Sequence, residues 1–164
     1  MEIIKFTTDE CNEIISLSNV FEKHLSSEWW EGYNTIYSAW HLERNKMTEW
    51  IFERLLNYLE QNTNIVLTQP LNLIHLQNIQ TGNKFEPHID KRSEYNIGVC
   101  LNDDYGGGEL ICYEPKIILP KVTGSIYTFY GNKVHEVKEV IYGERWSLIA
   151  FLNKNSIERK KNLM

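Results

Sequence analysis

With 164 residues, 42% of them hydrophobic, the chain is long enough to bury a core and too short for two ordinary domains, so one domain spanning 1–164 is expected. A net charge of -5 argues against a general nucleic-acid binder, which needs a basic stripe to neutralise phosphates. No apolar run approaches membrane-spanning length, and Met1-Glu2 lacks the basic-then-apolar plan of a secretion signal, so a cytoplasmic protein is expected.

Thr7-Thr8-Asp9-Glu10 has the hydroxyl caps and early acids of a helix start. Cys11, Ile14, Ile15, Leu17 and Val20 follow at roughly helical spacing, which predicts a first helix ending near His24. Trp29, Trp30 and Tyr33 fall in a loop with Gly32, and Tyr37, Trp40 and Leu42 suggest a strand crossing toward the core. Such aromatics most often pack helices onto a sheet, but a loop over a barrel mouth can also use them to wall an entrance. A second helix is predicted over 46–60, with Trp50, Ile51, Leu55, Leu56 and Leu59 as its buried stripe. The helical support thus spans about 7–62.

From Asn72 onward the pattern changes to short strands separated by turns, at 73–80, 95–101, 109–113, 125–130, 134–137 and 145–152. This predicts a β sandwich or barrel over about 71–153, with the two helices on its outer face. A polar tail, 154–164, carries Arg159-Lys160-Lys161 as a solvated end. The Gly106-Gly107-Gly108 run reads as a hairpin turn, since no Gly-Lys-Ser/Thr follows to make a phosphate loop. Cys11, Cys100 and Cys112 form no Cys-x-x-Cys pair and read as buried thiols, with neither a disulfide framework nor a structural zinc site.

The chemistry concentrates in Phe85-Glu86-Pro87-His88-Ile89-Asp90. In an extended strand the side chains at i and i+2 point the same way, so His88 and Asp90 can grip one ion while Ile89 turns back into the protein. A third ligand must come from a strand lying alongside in space, and His135 sits in a stretch with half-buried alternation. Two histidines and one carboxylate on one octahedral face leave three adjacent positions open, the arrangement of non-haem Fe(II) oxygenases. Alone, His-x-Asp is a weak motif, and either histidine could be a hydrogen-bonded strand-end residue.

Downstream, Arg145 and Ser147 share a face of the last strand and offer a fork of donors beside a hydroxyl, suited to the carboxylate of a small dicarboxylic cosubstrate. The alternative is a surface arginine paired with Glu136 or Glu144. Glu136 is expected to point away from the site. His75 shares a face with Gln77 and Ile79 and reads as a core histidine, whereas His24 and His41 have no companions in the sequence.

These stretches, with Leu101-Asn102-Asp103-Asp104-Tyr105-Gly106-Gly107-Gly108-Glu109-Leu110, Gly124-Ser125-Ile126-Tyr127-Thr128-Phe129 and Gly143-Glu144-Arg145-Trp146-Ser147-Leu148, resemble the prolyl 4-hydroxylase-like 2-oxoglutarate- and Fe(II)-dependent dioxygenases from about residue 71 to 152. The resemblance implies a mainly β (α+β) fold, a double-stranded β-helix (jelly-roll, cupin-like) barrel with two helices packed outside. It also implies that His88, Asp90 and His135 bind Fe(II), and that Arg145, assisted by Ser147, holds the distal carboxylate of 2-oxoglutarate. Dioxygen is the co-oxidant, and ascorbate can keep the iron reduced.

Two tyrosines common in that family are replaced here by Ile79 and Cys100, and Gln77 and Asn96 are the candidates to compensate as cosubstrate contacts. The implied reaction is oxidative decarboxylation of 2-oxoglutarate to succinate and carbon dioxide, coupled to C–H hydroxylation. The expected substrate is a peptidyl proline or a related group, with a free amino acid or another small molecule as the nearest variant. A metal-binding barrel without turnover, acting as a binding module, is the reading from a different class. No nucleic-acid or membrane partner is expected.

Overall fold

The computed structural model describes residues 5–25 and 36–160, so the loop expected around Trp29, Trp30 and Tyr33 lies outside the described residues. In chain order the elements are α1 (Thr8–Ser16), a single 3-10 turn (Leu17–Asn19), β1 (Lys23–Leu25), β2 (Ser38–Glu43), α2 (Glu49–Asn62), β3 (Ile65–Leu67), β4 (Leu73–Gln80), β5 (Phe85–His88), β6 (Tyr95–Cys100), β7 (Gly106–Gly107), β8 (Leu110–Cys112), β9 (Ile117–Ile118), β10 (Ile126–Tyr130), β11 (His135–Val137), β12 (Val140–Tyr142), β13 (Glu144–Leu152) and β14 (Ile157–Arg159), with a second 3-10 turn at Lys154–Ser156. None of the described helices is long and apolar enough to cross a membrane.

A reciprocal cap starts α1: the Thr7 hydroxyl accepts from the Glu10 N–H at 3.1 Å, and Glu10 Oε1 accepts from the Thr7 N–H at 2.9 Å. The helix is shorter than its apolar spacing predicts. Cys11, Ile14 and Leu17 are buried but Val20 is exposed, and His24 belongs to β1, an edge strand paired with β2. Ser16, Ser18 and Asn19 favour caps and turns over helix interiors, so strand pairing takes the chain from there. The second helix buries Ile51, Phe52, Leu55 and Leu59 on one stripe. Arg54 joins the two helices, clasping Glu10 through two hydrogen bonds of 2.7 Å while its guanidinium lies 4.9 Å from the Phe6 ring centre.

Two antiparallel sheets form the β core, a six-stranded one in the order β1-β2-β4-β13-β6-β10 and a four-stranded one in the order β5-β11-β8-β9. Strand parity divides the larger sheet. Leu42, Ile74, Leu76, Ile97, Val99, Leu148 and Ala150 face α1 and α2. Ile79, Cys100, Tyr127, Phe129 and Ile149 face the smaller sheet, where Leu110 and Val137 meet them. The fold is therefore mainly β, a jelly-roll architecture with its helices on the outer face of one sheet. Trp40 stacks on Trp146 at 5.3 Å on the helix side, so the two described members of the expected aromatic cluster separate, with Tyr37 on the side of the second sheet.

Three expectations are corrected by pairing between distant segments. The tail is not a strandless end: Arg159 and Lys160 are exposed as expected and Lys161 lies outside the described residues, but β14 pairs with β3, and Arg159 lies 5.5 Å from the Tyr130 ring centre. Gly106–Gly107 is not a hairpin tip but a short strand paired with β12. Ile89 does not turn inward, being 44% exposed, because β5 ends at His88 and Asp90 lies just beyond it with its N–H bonded to the Gly131 carbonyl at 2.7 Å. Strands of two to four residues such as β5, β7 and β14 are too short to leave a periodic signal in sequence.

Candidate active site

His88 closes β5, and its partner directly across the ladder is His135, the first residue of β11. Cross-strand partners present their side chains on the same face, so this register brings the two rings to 4.4 Å, centre to centre. β5 is an edge strand, which lets Pro87 sit beside His88 without removing a needed ladder bond.

Each imidazole is oriented in the same local way. Nδ1 of His88 lies 2.6 Å from the Glu86 carbonyl, and that of His135 2.8 Å from the Lys133 carbonyl; a neutral imidazole donating there keeps its Nε2 lone pair for a metal. They converge on Asp90, whose Oδ1 lies 3.3 Å from His88 Nε2 and Oδ2 3.2 Å from His135 Nε2. The donor atoms of the three residues all fall within 4.8 Å of one another, making this the one such group of His, Cys, Asp or Glu side chains among the described residues.

The electrostatics agree with a cation-ready cluster. Burial opposes ionisation of Asp90, yet hydrogen bonds from His135, His88 and Asn96 outweigh it and hold the carboxyl below its ordinary range. Burial likewise disfavours charge on His88, but the Asp90 carboxylate and the Glu86 carbonyl raise its pKa above the usual value. The donor set of two imidazole nitrogens and one carboxylate fits a divalent first-row metal, which binds both imidazoles in their neutral form.

The same cavity reaches Arg145 and is lined as well by Gln77, Tyr127, Ser147, Ile149 and Phe151; Phe85 and Phe129 lie against His88 and His135, and Tyr37 against Phe85. Arg145 is 6% exposed. Its Nε donates to the Gly108 carbonyl at 3.0 Å and its Nη1 to Ser147 Oγ at 3.1 Å. Among the described residues no carboxylate pairs with it; Glu136 bonds Tyr113 and Lys138, while Glu144 bonds Asn78 and Trp146. A buried guanidinium without a counter-ion is costly, and a carboxylate-bearing ligand reaching it from the cavity would neutralise it.

Gln77 lies opposite Ser147 in register, 7% exposed, and its side-chain amide has no hydrogen-bond partner among the described residues, which leaves it open to a ligand. Asn96 is used differently from expectation. Its Nδ2 donates to Asp90 Oδ2 at 2.7 Å, which makes it an orienting group for the carboxylate; on β6 it stands four residues from Cys100, which faces Ser147.

Other residues at the site carried no flag in the sequence reading. Tyr127 and Phe129 share one face of β10, which the alternation over 125–130 already implied, and Gly98 stands opposite Tyr127. Burial raises the pKa of the Tyr127 phenol, and Arg145 partly opposes that shift. Outside the cavity, His24, His41 and His75 do have companions: on adjacent strands their rings follow one another at 4.6 Å and 4.6 Å, and Phe151 continues the row 5.1 Å from His75. Burial, then His41, lowers the pKa of His75 to about 4, so it is neutral near pH 7. Burial also raises the thiols of Cys11 and Cys112 to about 11, consistent with inert sulfurs.

Residues 74–153 match the family model of the 2OG-Fe(II) oxygenase superfamily. These residues form a 2OG-Fe(II) oxygenase domain. Solved structures agree on the fold. An oxidoreductase of the 2OG-Fe(II) oxygenase family from Burkholderia pseudomallei superposes with a TM-score of 0.67 at 13% identity, over 95% of this chain and 84% of that one. A Pseudomonas putida prolyl-4-hydroxylase gives 0.63 at 14% identity, over 93% and 91%. A Trichoplax adhaerens prolyl hydroxylase, in complex with a hypoxia inducible factor oxygen degradation domain peptide fragment, gives 0.67 at 13% identity, over 88% and 76%. No match is found among curated proteins. The matched segment contains His88, Asp90, His135, Arg145 and Ser147, while α1, β1, β2 and α2 precede it.

Proposed function

We propose that this oxygenase domain, acting as a single domain, is a 2-oxoglutarate-dependent hydroxylase whose substrate is a peptidyl proline or a closely related group. One observation carries the reading: a single cavity joins the two-histidine, one-carboxylate cluster to a buried, un-neutralised arginine. His88, Asp90 and His135 would hold Fe(II), and Arg145 with Ser147 would receive the distal carboxylate of 2-oxoglutarate. With dioxygen, that set would supply the oxidising power for C–H hydroxylation, at the expense of 2-oxoglutarate, which would become succinate and carbon dioxide.

The chain's own residues set geometry and exclude water. The Glu86 and Lys133 carbonyls fix the imidazole tautomers, Asn96 steadies the Asp90 carboxylate, and Leu110, Val137 and Ile149 keep the lower cavity apolar. Gln77 is the further candidate for a cosubstrate contact. In the cavity, Tyr37 meets Phe85 edge-on at 4.4 Å, and with Phe129 and Phe151 they offer aromatic faces to a compact apolar ring such as that of proline. The prolyl hydroxylases among the fold neighbours support this substrate class over a nucleic acid.

The test is succinate formation from 2-oxoglutarate under air with Fe(II) and ascorbate, followed by a panel of proline-containing peptides. Slow uncoupled turnover, accelerated by a peptide that gains one oxygen by mass spectrometry, is expected. Absence of succinate under all conditions would instead assign the chain to the non-catalytic metal-binding class, and stimulation by free amino acids alone would move the substrate to small molecules.

A further inference from the structure

The un-neutralised Arg145 is not the sole unmatched polar group at its end of the cavity. Tyr127 is 6% exposed, it lines the same cavity, and no acceptor among the described residues takes its phenolic proton. Tyr127 and Arg145 line one cavity, and beside a guanidinium, which carries only donors, the phenol can place its oxygen toward the cation and its O–H away from it. A buried hydroxyl without an acceptor costs stability, and a cation and an O–H donor held side by side share one complementary ligand group, a carboxylate.

The backbone is shaped for this phenol. Gly98 pairs directly with Tyr127 across the β6–β10 ladder, and a Cβ added there would sit 2.5 Å from both Tyr127 Cε2 and Cζ and 2.7 Å from its hydroxyl oxygen. No real side chain tolerates such contacts, so the tyrosine ring lies across the space that only a glycine leaves. Glycine in a strand interior is unfavourable on its own account, and here it opens the path by which Tyr127 reaches the cavity. Neighbouring positions do not supply the same donor. Cys100, opposite Ser147, turns its Sγ to the Asn102 carbonyl at 3.1 Å, and Ile79 is apolar. Tyr105 also flanks the guanidinium but lines a smaller cavity behind it, with Lys121 and Pro120, and not the one that holds the metal-ligand cluster.

We infer that Tyr127 binds the distal carboxylate of 2-oxoglutarate together with Arg145 and Ser147, and that Gly98 is the positioning residue that admits its ring. This rests on the cosubstrate reading proposed above. It assigns the site two charge-directed donors from different strands, Arg145 on β13 and Tyr127 on β10, so that a 2-oxo acid is selected for its second carboxylate.

The test is calorimetry with the full-length, Mn(II)-loaded protein without dioxygen, using 2-oxoglutarate and 2-oxovalerate, a chain of equal length lacking the second carboxylate. Tyr127→Phe is expected to weaken 2-oxoglutarate roughly tenfold to a hundredfold, the range for a hydrogen bond to a charged group. Binding of 2-oxovalerate should change less than about twofold, a difference a purely structural tyrosine would not produce. Gly98→Ala should weaken 2-oxoglutarate similarly when Tyr127 is present and much less in the Tyr127→Phe background. Unchanged 2-oxoglutarate affinity in Tyr127→Phe, with Arg145→Ala impaired, would overturn the role of Tyr127 alone. Unchanged affinity in both would overturn the cosubstrate reading and this inference with it. Equal loss of both ligands in Tyr127→Phe would reduce the tyrosine to packing.

Discussion

Asn96 reaches across from the larger sheet to Asp90, its Nδ2 donating to the carboxylate oxygen that also faces His135. The amide itself is anchored, since Ser93 Oγ donates to Asn96 Oδ1. This chain of contacts ties a residue just beyond the end of an edge strand to a central strand of the opposite sheet, and holds the carboxylate at one rotation.

Asn96→Leu should therefore weaken divalent-metal affinity about tenfold to a hundredfold without removing a ligand, as loss of an orienting partner does. Titration with Co(II) or Mn(II) measures it. Affinity equal to wild type would show that Asp90 needs no such anchor.

Removing a ligand should be more severe. His88→Ala, Asp90→Ala and His135→Ala are each expected to abolish iron-dependent succinate formation, because two donors hold neither the ion nor its facial geometry. Zinc or manganese is expected to bind the wild-type site as well, since affinity alone does not select iron. Succinate production surviving in all three variants would remove the triad from the mechanism.

For Arg145 the expected effect falls on the cosubstrate. Arg145→Ala should cost roughly 2–5 kcal/mol of 2-oxoglutarate binding, the range for truncating one partner of a buried charge pair, with metal affinity nearly intact. Arg145→Lys should also be impaired, because Gly108 and Ser147 are arranged around a planar fork and an ammonium presents none. Calorimetry against 2-oxoglutarate, run beside a metal titration, separates the two effects.

The aromatic rim bears on the prime substrate. Tyr37→Ala should reduce stimulation by a proline peptide severalfold while changing uncoupled 2-oxoglutarate consumption much less, since Tyr37 lies against Phe85, which itself lies against His88. Parallel losses in both rates would place Tyr37 in the support of the metal cluster instead.

The two helices make a separate, pH-dependent contribution. The hydrogen bond from Arg54, aided by the Thr7 amide and opposed by burial, lowers the Glu10 carboxyl from 4.5 to about 2. A carboxyl depressed in the folded state stabilises fully above its unfolded value and loses that contribution as pH falls toward its folded one. Glu10→Gln should thus be less stable than wild type by about 1 kcal/mol near neutrality, the scale for a partly exposed ion pair, with the gap closing between about pH 4.5 and pH 2. Denaturant melts across that window are the measurement.

What the sequence by itself determined are the relations that rest on local geometry. The Thr7–Glu10 cap, the buried stripe of α2, the shared face of Arg145 and Ser147, and that of Tyr127 and Phe129, all follow from fixed periods of 3.6 and 2 residues. Even so, local periodicity overran α1 and turned Ile89 inward, because it cannot tell where a strand or helix loses its partner. Only the tertiary structure decided the relations between strands distant in the chain. His135 opposite His88, Gly98 opposite Tyr127 and Ser147 between Gln77 and Cys100 are matters of register. Register is set by turns, bulges and the packing of both sheet faces together, and a shift of one residue would reverse every one of those faces. For the same reason the bond from Asn96 to Asp90 is not legible in the sequence, nor is the row in which His24 and His41, without companions in the sequence, join His75.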